Sequence, residues 1–181
     1  MTRLFPLPLW THGAVTLATF GLFQAAKARL DASYAASGHP VDYATGQLSF
    51  DATTIEGYYR VMQDSGTLGV YWQTQRIDFG SIASVMLLAL ILGTLLARMG
   101  GWARGLGLAA AVLGLAGGAL DAVENLLSFW MLARPEAIPQ ALAVAYSSAA
   151  AVKFALLTAA MAAALAALVA AAVRRVMVRV G

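Results

Sequence analysis

The chain has 181 residues, no cysteine, and 60% hydrophobic against 12% charged residues, where soluble domains run at roughly 45–50% and about 25%. Its length fits one domain, and the missing cysteine excludes disulfides, thiolate metal centres and cysteine nucleophiles. The net charge of +3 is small and its basic residues flank apolar runs, which excludes a nucleic-acid footprint and reads instead as membrane topology.

A short lead with Arg3, Pro6 and Pro8 precedes the first apolar run, residues 9–28. Its end, Ala26-Lys27-Ala28, resembles a signal-peptide cleavage site, but the run is expected to be a retained first transmembrane helix. Residues 29–66 form the one long polar stretch, within a loop, 29–76, expected outside the cytoplasm. Within it, residues 41–50 alternate weakly around Thr45-Gly46, the pattern of a small hairpin. Thr53-x-x-Glu56 reads as a capping box opening an amphipathic helix to about Ser65. Ile55, Tyr58 or Tyr59, and Met62 would form its apolar face, and Gly66 its stop.

The second crossing is expected at 77–97, with a helix starting as early as Thr67. The third is expected at 105–132 and the fourth at 140–174, joined by the turns Arg98–Arg104 and Arg134–Pro139. These spans have the length a bilayer requires. The expected fold is therefore all-α: a four-transmembrane-helix antiparallel bundle forming one membrane domain. Arg3, Arg98, Arg104, Arg174, Arg175 and Arg179 would share one side. This places both termini in the cytoplasm of a bacterial inner-membrane protein.

Asp121, Glu124 and Asn125 stand at i, i+3 and i+4 inside the third apolar run, so a helix puts them on one face. Ionisable groups at membrane depth turn inward toward partners or water. Asp121 and Lys153 each lie sixteen residues from Ala137 in the turn, so two antiparallel helices bring them level. The same counting adds Gln24, Asp78 and Ser81, with Arg76 and Lys27 just beyond. The expected polar layer is Gln24, Arg76, Asp78, Ser81, Asp121, Glu124, Asn125 and Lys153. Either it ties helices three and four in register, or it lines a pocket opening outward. Three acids against one deep lysine leave negative charge in excess, suiting a proton, a cationic headgroup or an amphiphile.

Ala110, Gly114, Gly118 and Ala122 form a small-residue strip that lets another helix approach closely. The expected partner is the alanine-rich fourth helix, the alternative a second protein chain. His12 and His39 are too far apart for a metal site, and no cofactor is expected. No P-loop, dinucleotide fingerprint or nucleophile elbow occurs. Ser147 and Ser148 are expected at a helix contact.

Leu48-Ser49-Phe50, Thr53-x-x-Glu56, Gly66, Tyr71, Asp78, Leu120-Asp121-x-x-Glu124-Asn125 and Lys153-Phe154 together resemble a family of uncharacterised bacterial four-helix integral membrane proteins with Asp-x-x-Glu-Asn in the third helix. The resemblance spans most of the chain. It implies that Asp78, Asp121, Glu124, Asn125 and Lys153 belong together, and it implies no activity.

The leading expectation is a non-catalytic membrane protein: an accessory or scaffold subunit, or a binder of lipid or a small amphiphile. Its partners would be membrane lipid, other membrane subunits or a second copy, and no nucleic acid. One alternative is an intramembrane lipid-modifying enzyme with Asp121 or Glu124 as acid and base beside Lys153, which requires a cavity of roughly 300 Å³ or more. The other is proton-coupled transport by an oligomer.

Overall fold

The computed structural model describes residues 8–180, with side chains through 177. The lead containing Arg3 and the side chain of Arg179 lie outside the described residues. Six helices follow in order: α1 (Leu9–Ser37), α2 (Tyr43–Gln47), α3 (Ala52–Asp64), α4 (Leu68–Ala97), α5 (Trp102–Leu132) and α6 (Gln140–Val180). No strand occurs among the described residues. Leu68–Ala97, Trp102–Leu132 and Gln140–Met177 are long and apolar enough to cross a membrane, which marks the chain as a membrane protein.

The four long helices form an antiparallel row. α1 packs on α4, α4 on α5, and α5 on α6, while α4 and α6 touch only slightly. The arrangement is therefore an open row, and a groove runs between α1 and α6. α1 turns polar residues inward and apolar residues outward. His12, Thr16 and Thr19 are buried, whereas Leu9, Trp10, Leu17, Phe20 and Leu22 are exposed. His12 Nε2 pairs with the Ile91 carbonyl at 3.0 Å, and Arg98 Nη1 meets His12 Nδ1 at 3.2 Å. This histidine joins two helices.

The turn from α4 to α5 passes through Gly100 and Gly101 at φ +75° and +57°, a region open to glycine. Arg174 of α6 closes this end by donating Nη1 to the Met99 carbonyl at 2.9 Å. Across the α4–α5 seam the backbones nearly touch. A Cβ added at Gly93 would lie 2.5 Å from the Gly107 carbonyl oxygen, and one at Gly107 would lie 2.6 Å from that of Gly93. Gly114 and Gly118 mainly face α4, through Ala89 and Met86. This corrects the expected contact with α6; Gly117 fills that role, against Leu157. A strip of small residues records close approach but not which neighbour makes it. Ala110 is buried beside the same seam, and Ala122 is partly exposed.

At the other end, α2 and α3 form a cap. Residues 43–47 are helical instead of forming a hairpin, because Asp42 caps them: its Oδ1 accepts from the Thr45 amide at 3.0 Å. The α3 helix likewise starts two residues before the expected capping box. Asp51 accepts from the Thr54 amide at 2.8 Å, while Glu56 accepts from the Ile138 amide at 2.8 Å. Glu56 thus ties the cap to the α5–α6 turn. Ile55, Tyr59 and Met62 are buried in a cluster with Tyr71, Met131, Leu132 and Tyr146, each large side chain contributing about 1.5–3 kcal/mol. Phe50 holds φ +54°, which costs about 1–2 kcal/mol for a residue with a Cβ. Its amide donates to Ser147 Oγ at 3.0 Å, and its carbonyl accepts from Gln140 Nε2 at 2.9 Å. These bonds from α6 hold the strained residue in place.

His39 is stacked with Tyr34 at 5.2 Å and tilted against Tyr71 at 5.3 Å. Its Nδ1 meets the Val41 carbonyl at 3.0 Å. Burial lowers the imidazole pKa below its ordinary value, with Val41 and Asp42 opposing the shift. The folded cap therefore prefers the neutral ring. Its contribution is complete above the unfolded pKa of about 6.5 and is lost as pH falls through the lower folded value. The melting temperature should drop as the protein is acidified below about 6.5, and His39→Gln should flatten that slope.

Candidate functional site

One face of α5 reaches in two directions. Toward α6, Asp121 and Glu124 meet Lys153. The lysine donates Nζ to Asp121 Oδ1 at 2.9 Å and makes an ion pair with Glu124 Oε2. The Glu124 oxygen has charge contact but no well-aligned hydrogen bond. Toward α4, Asn125 Nδ2 donates to Asp78 Oδ2 at 2.9 Å. Spacing of three and four residues makes this possible, since it spreads the side chains across one helical stripe.

The cap supplies a further member. Gln47 of α2 accepts from Lys153 Nζ at 3.1 Å, across 106 residues of chain. Lys153 also lies 4.8 Å from the Phe154 ring centre. The ammonium is therefore fully engaged and buried to 4% exposure. Such burial is costly without partners, and two carboxylates and an amide supply them. Glu124, 1% exposed, sits behind the lysine, near Tyr59, Tyr71 and Tyr146. Asp121 keeps 15% of its side chain exposed.

That exposure opens into a cavity of about 260 Å³. Its polar wall is Tyr43, Gln47, Asp78, Ser81, Asp121 and Lys153. Lys27 and Asp31 stand at the rim, paired with each other at 2.6 Å. Ser81 is 7% exposed, and its hydroxyl has no hydrogen-bond partner. Below, the cavity shares Phe23, Val85, Phe154 and Leu157 with an apolar groove of about 300 Å³. That groove runs between α1 and α6 over Ala89, Gly93 and Gly114.

Of the eight residues expected in the polar layer, the structure assembles Asp78, Ser81, Asp121, Glu124, Asn125 and Lys153. Gln24 and Arg76 do not join it. Gln24 is exposed on α1; its depth matches the layer, but one residue is about 100° of helix rotation, and Phe23 takes the inward position. Arg76 is exposed on the far flank of α4, 5.7 Å over the Trp72 ring, and lines a different groove. Gln47 and Tyr43 escaped the sequence reading because a five-residue helix has no periodicity to detect. Two carboxylates thus share the Lys153 ammonium, while Asp78, held by Asn125, stands beside them on the wall of a cavity whose lining is otherwise mainly apolar. No family model, curated protein or solved structure matches the chain, so the geometry alone carries its functional reading.

Proposed function

We propose that the chain is a four-span membrane protein that binds an amphiphile. The tail lies in the apolar groove between α1 and α6, and a head bearing hydrogen-bond donors enters the pocket at Asp78, Ser81 and Asp121. The observation that carries this is the continuity of the two cavities: an unpartnered buried hydroxyl and shared carboxylates lie directly above an apolar channel. An ammonium or hydroxyl head suits that wall, because Lys153 is already taken by Glu124, Asp121 and Gln47.

The outward apolar residues of α1 support counting it as the fourth span, since lipid accepts Leu17, Phe20 and Leu22 where water would not. Arg98, Arg104, Arg174 and Arg175 cluster at the end where α1 begins. By the positive-inside bias both termini are then cytoplasmic, in a bacterial inner membrane. The capped pocket faces the opposite side.

The test is native mass spectrometry from mild detergent, with extraction of whatever is retained. The wild type should carry an amphiphile, and Thr158→Trp, which fills the groove, should reduce its occupancy by about tenfold with little change in melting. A bare wild type, or retention unaffected by the plug, would refute the reading. Stoichiometric protein partners in the same spectrum would favour the accessory-subunit alternative.

One observation favours a second reading, an intramembrane acid–base enzyme: Asp121 is partly exposed on the cavity wall beside Lys153. In that case Asp121→Asn abolishes turnover of the bound lipid while binding persists. Glu124 cannot reach a ligand there, being behind the lysine.

A further inference from the structure

A separate groove of about 640 Å³ lies on the other flank of the α1–α4 seam. The pairing of Ser33 with Thr74 at 2.7 Å, and of His12 with Ile91, sets the antiparallel register. That register brings Arg29 level with Arg76, and both line the groove. Neither has an acid partner among the described residues. Nearby Asp31 is occupied by Lys27. The Trp72 face orients Arg76 without neutralising it. Two like charges at one level repel each other, and an anion between them removes that cost.

Deeper along the helices the groove changes character. Ala26, Ile77 and Gly80 line it, and a Cβ at Gly80 would meet nothing within 4 Å. Two guanidinium groups therefore stand over an open apolar trough. We propose that this groove binds an anionic phospholipid, with the phosphate between Arg29 and Arg76 and an acyl chain along Ala26 and Gly80. Guanidinium matches phosphate oxygens in paired hydrogen bonds. A soluble phosphate would leave the trough unfilled, so the lipid is the occupant that accounts for both halves. The inference uses α1 as a membrane helix but is independent of the internal pocket.

The experiment titrates detergent-purified protein with phosphatidylglycerol, phosphatidylcholine of the same chains, and inorganic phosphate. Bound lipid is counted by native mass spectrometry. The wild type should prefer phosphatidylglycerol by about twenty-fivefold, and Arg29→Gln and Arg76→Gln should each reduce that preference by about fivefold. The double variant should bind both lipids equally with unchanged melting, since both side chains are exposed. Gly80→Trp should weaken both lipids. A preference that survives the double variant, equal binding of the two lipids by the wild type, or displacement of the lipid by millimolar inorganic phosphate would overturn the proposal.

Discussion

Lys153→Met will lower the stability of the protein by about 3–5 kcal/mol, the range for breaking a buried ion pair from one side. Methionine keeps most of the lysine's length, so little of the loss comes from an empty space. What remains is two carboxylates that have lost their shared cation. They are not equivalent. Glu124 has 1% exposure and no route to the cavity, whereas Asp121 retains 15%. Adding Glu124→Gln to Lys153→Met should therefore recover more stability than adding Asp121→Asn. Thermal or denaturant unfolding in detergent measures both double variants against the singles, and the coupling isolates each pair. Unchanged melting of Lys153→Met, or equal recovery by the two doubles, would count against the buried pair as the tie between α5 and α6.

The second large effect belongs to the α4–α5 seam. Gly107→Ala places a Cβ 2.6 Å from the Gly93 carbonyl, 2.7 Å from the Ala97 amide nitrogen and 2.9 Å from the Leu96 Cβ. Two of those neighbours are backbone atoms and cannot rotate away, so the helices must separate. The expected cost is about 1–3 kcal/mol, typical of overpacking, despite the better helix propensity of alanine. Gly118→Ala is the control. The three atoms nearest its Cβ all belong to the Met86 side chain, Cγ foremost, and they can turn aside about side-chain torsions where a backbone atom cannot. The propensity gain of about 1 kcal/mol then offsets part of the cost of repacking Met86, and the loss should be smaller than for Gly107→Ala. If both variants melt alike, the seam is not set by backbone contact at Gly93 and Gly107.

Depth was readable from the chain because helical rise is constant. Counting outward from Ala137 places Asp121 opposite Lys153, and the structure brings them to 2.9 Å. Azimuth was harder. Spacing put Asp121, Glu124 and Asn125 on one stripe, but it does not say that Asn125 turns to α4 while its neighbours turn to α6. The same gap explains Gln24 and Arg76, which share the layer's approximate depth but face away from it. It also explains Gly114 and Gly118, whose small size was legible and whose neighbour was not.

The cap shows the limit from the other direction. Glu56 reads locally as half of a capping box, yet it binds the Ile138 amide, 82 residues away. Gln47 reads as part of a small hairpin, yet it completes the shell of Lys153. Local hydrogen bonds compete with distant ones of similar strength, and only the packed fold decides which form.

The sequence alone determined the apolar helices, their antiparallel succession, and the depth at which acids and lysine lie, because these follow from composition, turn positions and a fixed rise per residue. Tertiary structure decided which face of each helix points inward, that α1 and α6 stand apart around a groove, and that a distant cap closes its polar end. Those outcomes depend on side chains from separated segments competing for the same contacts, and no local pattern records that competition.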